Sequence, residues 1–232
     1  MIIAVLKETA DYERRVALTP PAAQKLTADG TKIKMEKGAG KAAGFADKEY
    51  ENAGVEIAED AAAALKGASL LFKIRAPSAE ETKRLPDGLT VIADFRTFVP
   101  DWELIKNRRF SLFALERIPR ISRAQDMDIL SSQDNLAGYK AAIEAGSVLI
   151  DVSGNVEGPG SPETFTTENG AVVTVDRQMA SLLPDTASRL FANNLCNFFR
   201  LLGSGPAAGQ TPDFADDVIN RTCICWQGEK RE

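Results

Sequence analysis

The chain has 232 residues, 44% of them hydrophobic and 26% charged, with a formal net charge of −5 and no histidine. These are ordinary globular values for one large domain or two small ones. Without a long basic run, the acidic balance excludes nucleic acid as the main partner, and no apolar run approaches the ~20 residues needed to cross a bilayer.

The N-terminal run Ile2 to Leu6 is apolar and β-rich. It lacks the charged n-region and cleavage motif of a signal peptide, so it reads as a first strand and the cytoplasm is the expected compartment. Pro20 to Leu26 reads as a helix with Pro in its first turn. Thr31 to Glu36 alternates Ile33 and Met35 against Lys32 and Lys34, the period of a half-buried strand. Short helices follow at Asp47 to Asn52 and Asp60 to Leu65, with Val55 and Ile57 as a brief strand between them. Ser69 to Ile74, Leu89 to Ala93 and Phe110 to Leu115 are apolar runs separated by polar helical stretches. This alternation predicts an α/β fold, a doubly wound and mostly parallel sheet. Asp128 to Glu144 reads as a long helix weakened at Gly138. Ser147 to Val152 is strand-like, and Phe165 to Val175 reads as a hairpin turning at Glu168-Asn169-Gly170. Pro184 and Asp185 open a helix from Thr186 to Leu202. Leu182, Leu190, Phe191, Phe198 and Phe199 form an apolar stripe that predicts core packing against the long first-domain helix or else a dimer interface. Val218 to Trp226 is a short β candidate, followed by a charged tail expected to fray.

One stretch concentrates chemistry. From Pro119 to Tyr139 a polar loop with two arginines runs into the long helix, placing Arg120, Arg123, Gln125, Asp128 and Ser131 close together. Helix N-termini favour anions through free N–H groups and the positive dipole end. The set therefore suits a phosphate, ribose or carboxamide, or else is a capped helix start behind a solvated basic loop. Asp126 and Asp128 fit dipole stabilisation of a first turn. Gln133 and Asn135 read as solvated or capping, and Tyr139 as core or ligand contact. With no histidine, Cys196, Cys223 and Cys225 form neither a Cys/His zinc site nor a Cys–His nucleophile, and no metal site is expected. Proton transfer would fall to Lys, Asp, Glu, Tyr or water.

The words PRISRAQDMDILSSQDNLAGY resemble the signature of the alanine dehydrogenase and proton-translocating transhydrogenase α-subunit family, nearer the transhydrogenase branch. In that family a loop bearing Arg, Gln and Asp reaches the nicotinamide of bound NAD(H). The resemblance assigns cofactor binding to Arg120, Gln125 and Asp128, with Ser131 following. Lys7-Glu8, Arg14 to Pro20, Lys37 to Gly40 and Phe72 to Pro77 resemble further motifs of the first domain. Gly146 to Asp151 and Ala187 to Leu195 resemble the family's far C-terminal part. Between these parts the family inserts a Rossmann unit of ~100–150 residues, whose Gly-x-Gly-x-x-Gly turn holds the pyrophosphate. Neither Gly38-Ala39-Gly40 nor Gly203-Ser204-Gly205 completes that turn. The reading is thus a first domain over residues 1–145, a remnant of an excised nucleotide domain over 146–183, and a returning C-terminal helix and tail over 184–232.

In the alanine dehydrogenase branch, Arg15 and Lys73 match positions that clamp the substrate carboxylate and polarise its carbonyl. Arginine binds carboxylate through two parallel bonds, and lysine adds a point charge. From the residues alone both read as surface cations. Where that branch carries a catalytic histidine this chain has Ala93-Asp94-Phe95-Arg96, and its catalytic aspartate belongs to the missing unit, so alanine oxidation is not expected. Three functions remain open. The first is an NAD(H)-side transhydrogenase component, weak alone and working with NADP(H)-binding and membrane subunits. The second is a non-catalytic scaffold that homodimerises, and the third a small carboxylic-acid binder using Arg15 and Lys73.

Overall fold

The computed structural model describes residues 1–144, 148–151, 163–166, 172–175, 179–203 and 205–231. Its main body is an eight-stranded sheet. The strands are β1 (Ile2–Val5), β2 (Lys32–Glu36), β3 (Glu56–Ala58), β4 (Leu70–Arg75), β5 (Thr90–Asp94) and β6 (Ser111–Ala114), joined near the C-terminus by β10 (Cys223–Trp226) and β11 (Glu229–Lys230). Their order is β11-β10-β6-β5-β4-β1-β2-β3. The first six pair in parallel, while β10 runs antiparallel to β6 and β11 antiparallel to β10. The parallel part has the 3-2-1-4-5-6 order of a doubly wound fold, which reverses direction between β1 and β4.

The connecting helices are α1 (Pro20–Ala28), α2 (Asp47–Asn52), α3 (Ala61–Leu65), α4 (Ala79–Arg84) and α5 (Trp102–Asn107). Two-residue periodicity in each strand splits the core into two layers. Ile3, Val5, Phe72 and Phe113 join Leu26 of α1 on one face; Ala4, Leu71, Val91 and Leu112 join Leu65 and Ile105 on the other. A long helix α6 (Ile129–Glu144) follows the loop after β6, and α7 (Pro184–Leu202) returns to cover the first layer. The stripe divides: Phe191, Phe198 and Phe199 are buried and Leu182 is exposed. Phe199 meets Phe72 edge-on at 5.7 Å, and Phe198 lies 5.9 Å from Phe113.

A second sheet orders β7 (Val148–Asp151), β9 (Val172–Val175) and β8 (Glu163–Thr166). β8 and β9 pair antiparallel, as the hairpin reading required, and β7 runs parallel to β9. The turn at Glu168-Asn169-Gly170 and the glycine loop around Gly158 lie outside the described residues, as does the side chain of Tyr139.

The C-terminal segment differs from its sequence reading. Val218 lies not in a strand but in a helix, α8 (Asp217–Thr222), because the Asp216 carboxylate accepts the amide hydrogens of Val218 and Ile219 and caps it. The charged tail, expected to fray, is paired over Glu229–Lys230. Gln227 and Gly228 take positive φ of 48° and 88°, as in a type I′ turn, and fold Glu229–Lys230 back on β10.

Truncating Phe198 should remove a ring that is fully buried against the sheet. Phe198→Ala is expected to lower unfolding free energy by about 3–5 kcal/mol, measured by urea denaturation.

Candidate functional site

Ligands of open α/β sheets collect outside the carboxyl ends of the strands, where the winding reverses. Here that point is the end of β1 beside the end of β4, and it is filled by charge. After β1 come Lys7, Glu8, Glu13 and Arg15; β4 ends in Lys73 and Arg75; β5 ends in Asp94. Glu8, Glu13, Arg15, Lys73 and Asp94 are all buried.

Two carboxylates organise these groups. Glu8 takes over where the β1–β4 ladder stops, accepting the amide hydrogens of Ile74 at 2.7 Å and Arg75 at 3.3 Å. Lys73 lies 3.5 Å from Glu8 and donates to Glu81 at 3.0 Å and to the Lys7 carbonyl at 3.3 Å. Glu81 reaches it from the first turn of α4, where it also completes a capping box with Ser78. Glu13 is the second centre. It receives Nε and a terminal nitrogen of Arg15 at 2.7 and 2.5 Å, the Ser181 hydroxyl at 2.6 Å and Arg75 Nε at 3.3 Å. Arg75 continues to Asp94, which also holds Arg96.

Burial and pairing act in opposite directions on these groups. Burial is the largest influence on Glu13 and would raise its pKa, but the bonds and charge of Arg15, helped by Ser181 and Arg75, overcome it and hold the carboxyl down at about 2. At Glu8 burial prevails over Lys73 and pushes the pKa up. Burial also opposes the charged form of Lys73, but Glu8 and Glu81 outweigh it and raise its pKa. Burial raises Glu116, whose carboxylate accepts the Phe95 amide hydrogen at 2.9 Å. The three buried cysteines are likewise pushed up by burial, to about 11 for Cys196 and Cys225 and about 12 for Cys223, so none is a ready nucleophile.

The loop after β6 forms a second group. Asp128 is buried at the start of α6 and accepts the Ser131 amide hydrogen at 3.0 Å and its hydroxyl at 2.6 Å, an N-cap arrangement. Arg120 Nε stands 3.8 Å from the same carboxylate, with its side chain 67% exposed. Gln125 is exposed. Arg120, Asp128 and Ser131 thus converge, and Arg15 and Lys73 sit apart from them on the sheet edge. Arg123 turns away and pairs with Asp216 and Asp217 at the start of α8. From α7, Asn194 and Asn197 donate to the Asp126 carbonyl at 2.7 and 3.2 Å.

Sequence reading missed several members of these groups. Glu8, Glu13, Arg75 and Asp94 carried one usable signal: charged residues at the carboxyl ends of strands, or in the loop beyond, in a doubly wound pattern. Gln133, expected to be solvated or capping, is 5% exposed and accepts from Arg15 at 2.8 Å, because it faces α7 rather than water. Asn135 is exposed.

The family models for the alanine dehydrogenase/PNT N-terminal and C-terminal domains match residues 4–137 and 137–232. The chain belongs to the alanine dehydrogenase/PNT family. It is 42% identical over 155 residues to the NAD(P) transhydrogenase subunit alpha of Cereibacter sphaeroides, which covers 63% of this chain and 28% of that protein. Alanine dehydrogenase of Halomonas elongata is 42% identical over 91 residues, 39% of this chain and 24% of that protein. The chain thus spans about a quarter of these two relatives. Among solved structures, transhydrogenase from Sinorhizobium meliloti superposes with a TM-score of 0.85 at 22% identity over 100% of both chains, a likeness of fold. No helix among the described residues is long and apolar enough to cross a membrane.

For this family member the site makes a pH prediction. A depressed carboxyl pKa adds stability that is present above the unfolded value of 4.5 and lost as pH falls through about 2. Glu13 should therefore contribute on the order of 3 kcal/mol at neutral pH. Glu13→Gln is expected to be less stable than wild type at pH 7, with the two converging between pH 4.5 and 2. Urea melts at stepped pH measure the difference.

Proposed function

We propose that this chain is an NAD(H)-side component of a transhydrogenase-like system. In this reading Arg120, Gln125, Asp128 and Ser131 receive the nicotinamide end of the cofactor. The observation that carries it is the loop's anchorage by this chain's own residues. Arg123 fixes one side to Asp216 and Asp217, while Asn194 and Asn197 hold the Asp126 carbonyl. The loop thus needs no facing nucleotide domain to keep Arg120 beside Asp128.

The donor set fits a carboxamide. An exposed guanidinium can meet its oxygen, and the buried carboxylate and the Gln125 carbonyl offer acceptors for its NH2 group. Bound NAD(H) would supply the hydride, and the protein's part is orientation and exclusion of water. The pyrophosphate end is not matched, for the sequence contains no Gly-x-Gly-x-x-Gly turn. The chain alone should hold NAD(H) weakly, and turnover should require a nucleotide-binding domain and an NADP(H)-binding partner in trans. The relatives' names support the class of reaction; a homodimer and membrane subunits belong to the same proposal.

The acid-binder reading finds less support. The nitrogens of Arg15 that would fork a substrate carboxylate are bonded to Glu13, and its remaining terminal nitrogen to Gln133. Lys73 is likewise bonded to Glu81 and the Lys7 carbonyl.

Calorimetric titration with NADH tests the proposal. Saturable binding in the micromolar to millimolar range is expected, weakened about tenfold in Arg120→Ala and Gln125→Ala, the size of one hydrogen bond. No binding up to millimolar NADH would leave the scaffold reading, and stabilisation by pyruvate that disappears in Arg15→Ala would restore the acid binder.

A further inference from the structure

The two groups described above are joined by an unbroken run of hydrogen bonds. The remaining terminal nitrogen of Arg15 donates to Gln133 Oε1 at 2.8 Å. Gln133 Nε2 donates to the Ser132 hydroxyl at 3.3 Å and to the Ala187 carbonyl at 3.2 Å. The Ser132 hydroxyl donates to Asn194 Oδ1 at 2.7 Å, and Asn194 Nδ2 donates to the Asp126 carbonyl at 2.7 Å. The Ser132 hydroxyl also stands 3.2 Å from the Ile129 carbonyl, but its one hydrogen serves the shorter contact to Asn194. Along this run the donors then point one way, from the buried guanidinium to the backbone of the loop, so each bond polarises the next. The chain of bonds also fixes both amides: Gln133 must turn its oxygen to Arg15, and Asn194 its oxygen to Ser132.

We propose that Arg15 and Gln133 are positioning residues for the cofactor loop, acting through Ser132 and Asn194. This deepens the NAD(H) reading and rests on it for its functional meaning. It gives Arg15 a different task from the substrate clamp implied by the alanine dehydrogenase resemblance. Glu13 orients the guanidinium by taking its Nε and one terminal nitrogen, leaving the other free to direct Gln133. The loop's other main anchor, Arg123 with Asp216 and Asp217, is partly exposed and therefore screened by salt. The run beginning at buried Arg15 contains no opposite-charge pair and is less exposed to salt, and it attaches at Asp126, between Gln125 and Asp128.

Amide hydrogen exchange in the full chain separates this role from simple packing. Ser132→Ala removes the central hydroxyl and replaces it with a better helix former, so folding is not endangered. Gln133→Glu keeps an acceptor for Arg15 but cannot donate to Ser132. Both variants should raise exchange of the loop amides at residues 121–128 about tenfold, as for loss of one buried hydrogen bond. Those of Ala124 and Met127, which are bonded within the loop, are the most informative, and amides of β1 and β4 should keep wild-type rates. Wild-type loop exchange in either variant overturns the proposal, as does an equal rise across β1 and β4. NADH affinity measured in parallel should fall by a similar factor. If wild type binds no NADH the functional reading fails, while the exchange result still decides whether the run of bonds holds the loop.

Discussion

The buried pairing of Glu13 with Arg15 is the constraint around which the rest of this structure is arranged. A charged carboxylate taken from water costs several kcal/mol unless other groups replace its hydration. Here Arg15, Arg75 and Ser181 supply those bonds, and they come from three separate parts of the chain. The segment after β1, the end of β4 and the turn before α7 must therefore meet at one point for the charge to be tolerated. That requirement specifies where the returning helix docks more sharply than apolar packing could, since burial of Phe198 or Phe199 is non-directional. The Ser188 hydroxyl, which accepts the Val16 amide hydrogen at 2.9 Å, pins the same junction from α7.

Much of the architecture was legible because local pattern and global fold agree. The alternation of Ile33 and Met35 with lysines, and the apolar runs at Ser69, Leu89 and Phe110, marked the strands of the parallel sheet directly. The C-terminal misreading has a specific cause. Val218-Ile219 is as β-prone as Cys223-Ile224, and the decision between helix and strand rests on the Asp216 cap. The turn at Gln227-Gly228 was missed because glutamine rarely takes positive φ.

The grouping of polar residues around the loop was legible only where the words of the sequence matched a family. Arg120, Asp128 and Ser131 are neighbours in sequence and do converge. The sheet-edge group is invisible to such reading, since Glu13 and Arg75 are far apart in sequence and meet through topology alone. Gln133 shows the same limit in reverse: a polar residue on a helix reads as solvated until the helix packed against it is known. That the switch point is filled by mutually neutralising charges also changes its chemistry. In a doubly wound fold this crevice ordinarily admits a ligand; in this chain its cations are bonded to its carboxylates.

The antiparallel pairing of β10 with β6 joins Cys225 to Leu112, residues about 110 positions apart. The connection closes so large a loop that β6, with Leu112 and Phe113 in the core, presents an unpaired backbone edge until β10 has been synthesised. The entropic cost of closing the loop grows only logarithmically with its length, so the delay is one of timing rather than stability. During biosynthesis the vulnerable species is a sheet of six parallel strands, and β6 keeps an open edge until β10 and β11 emerge and dock.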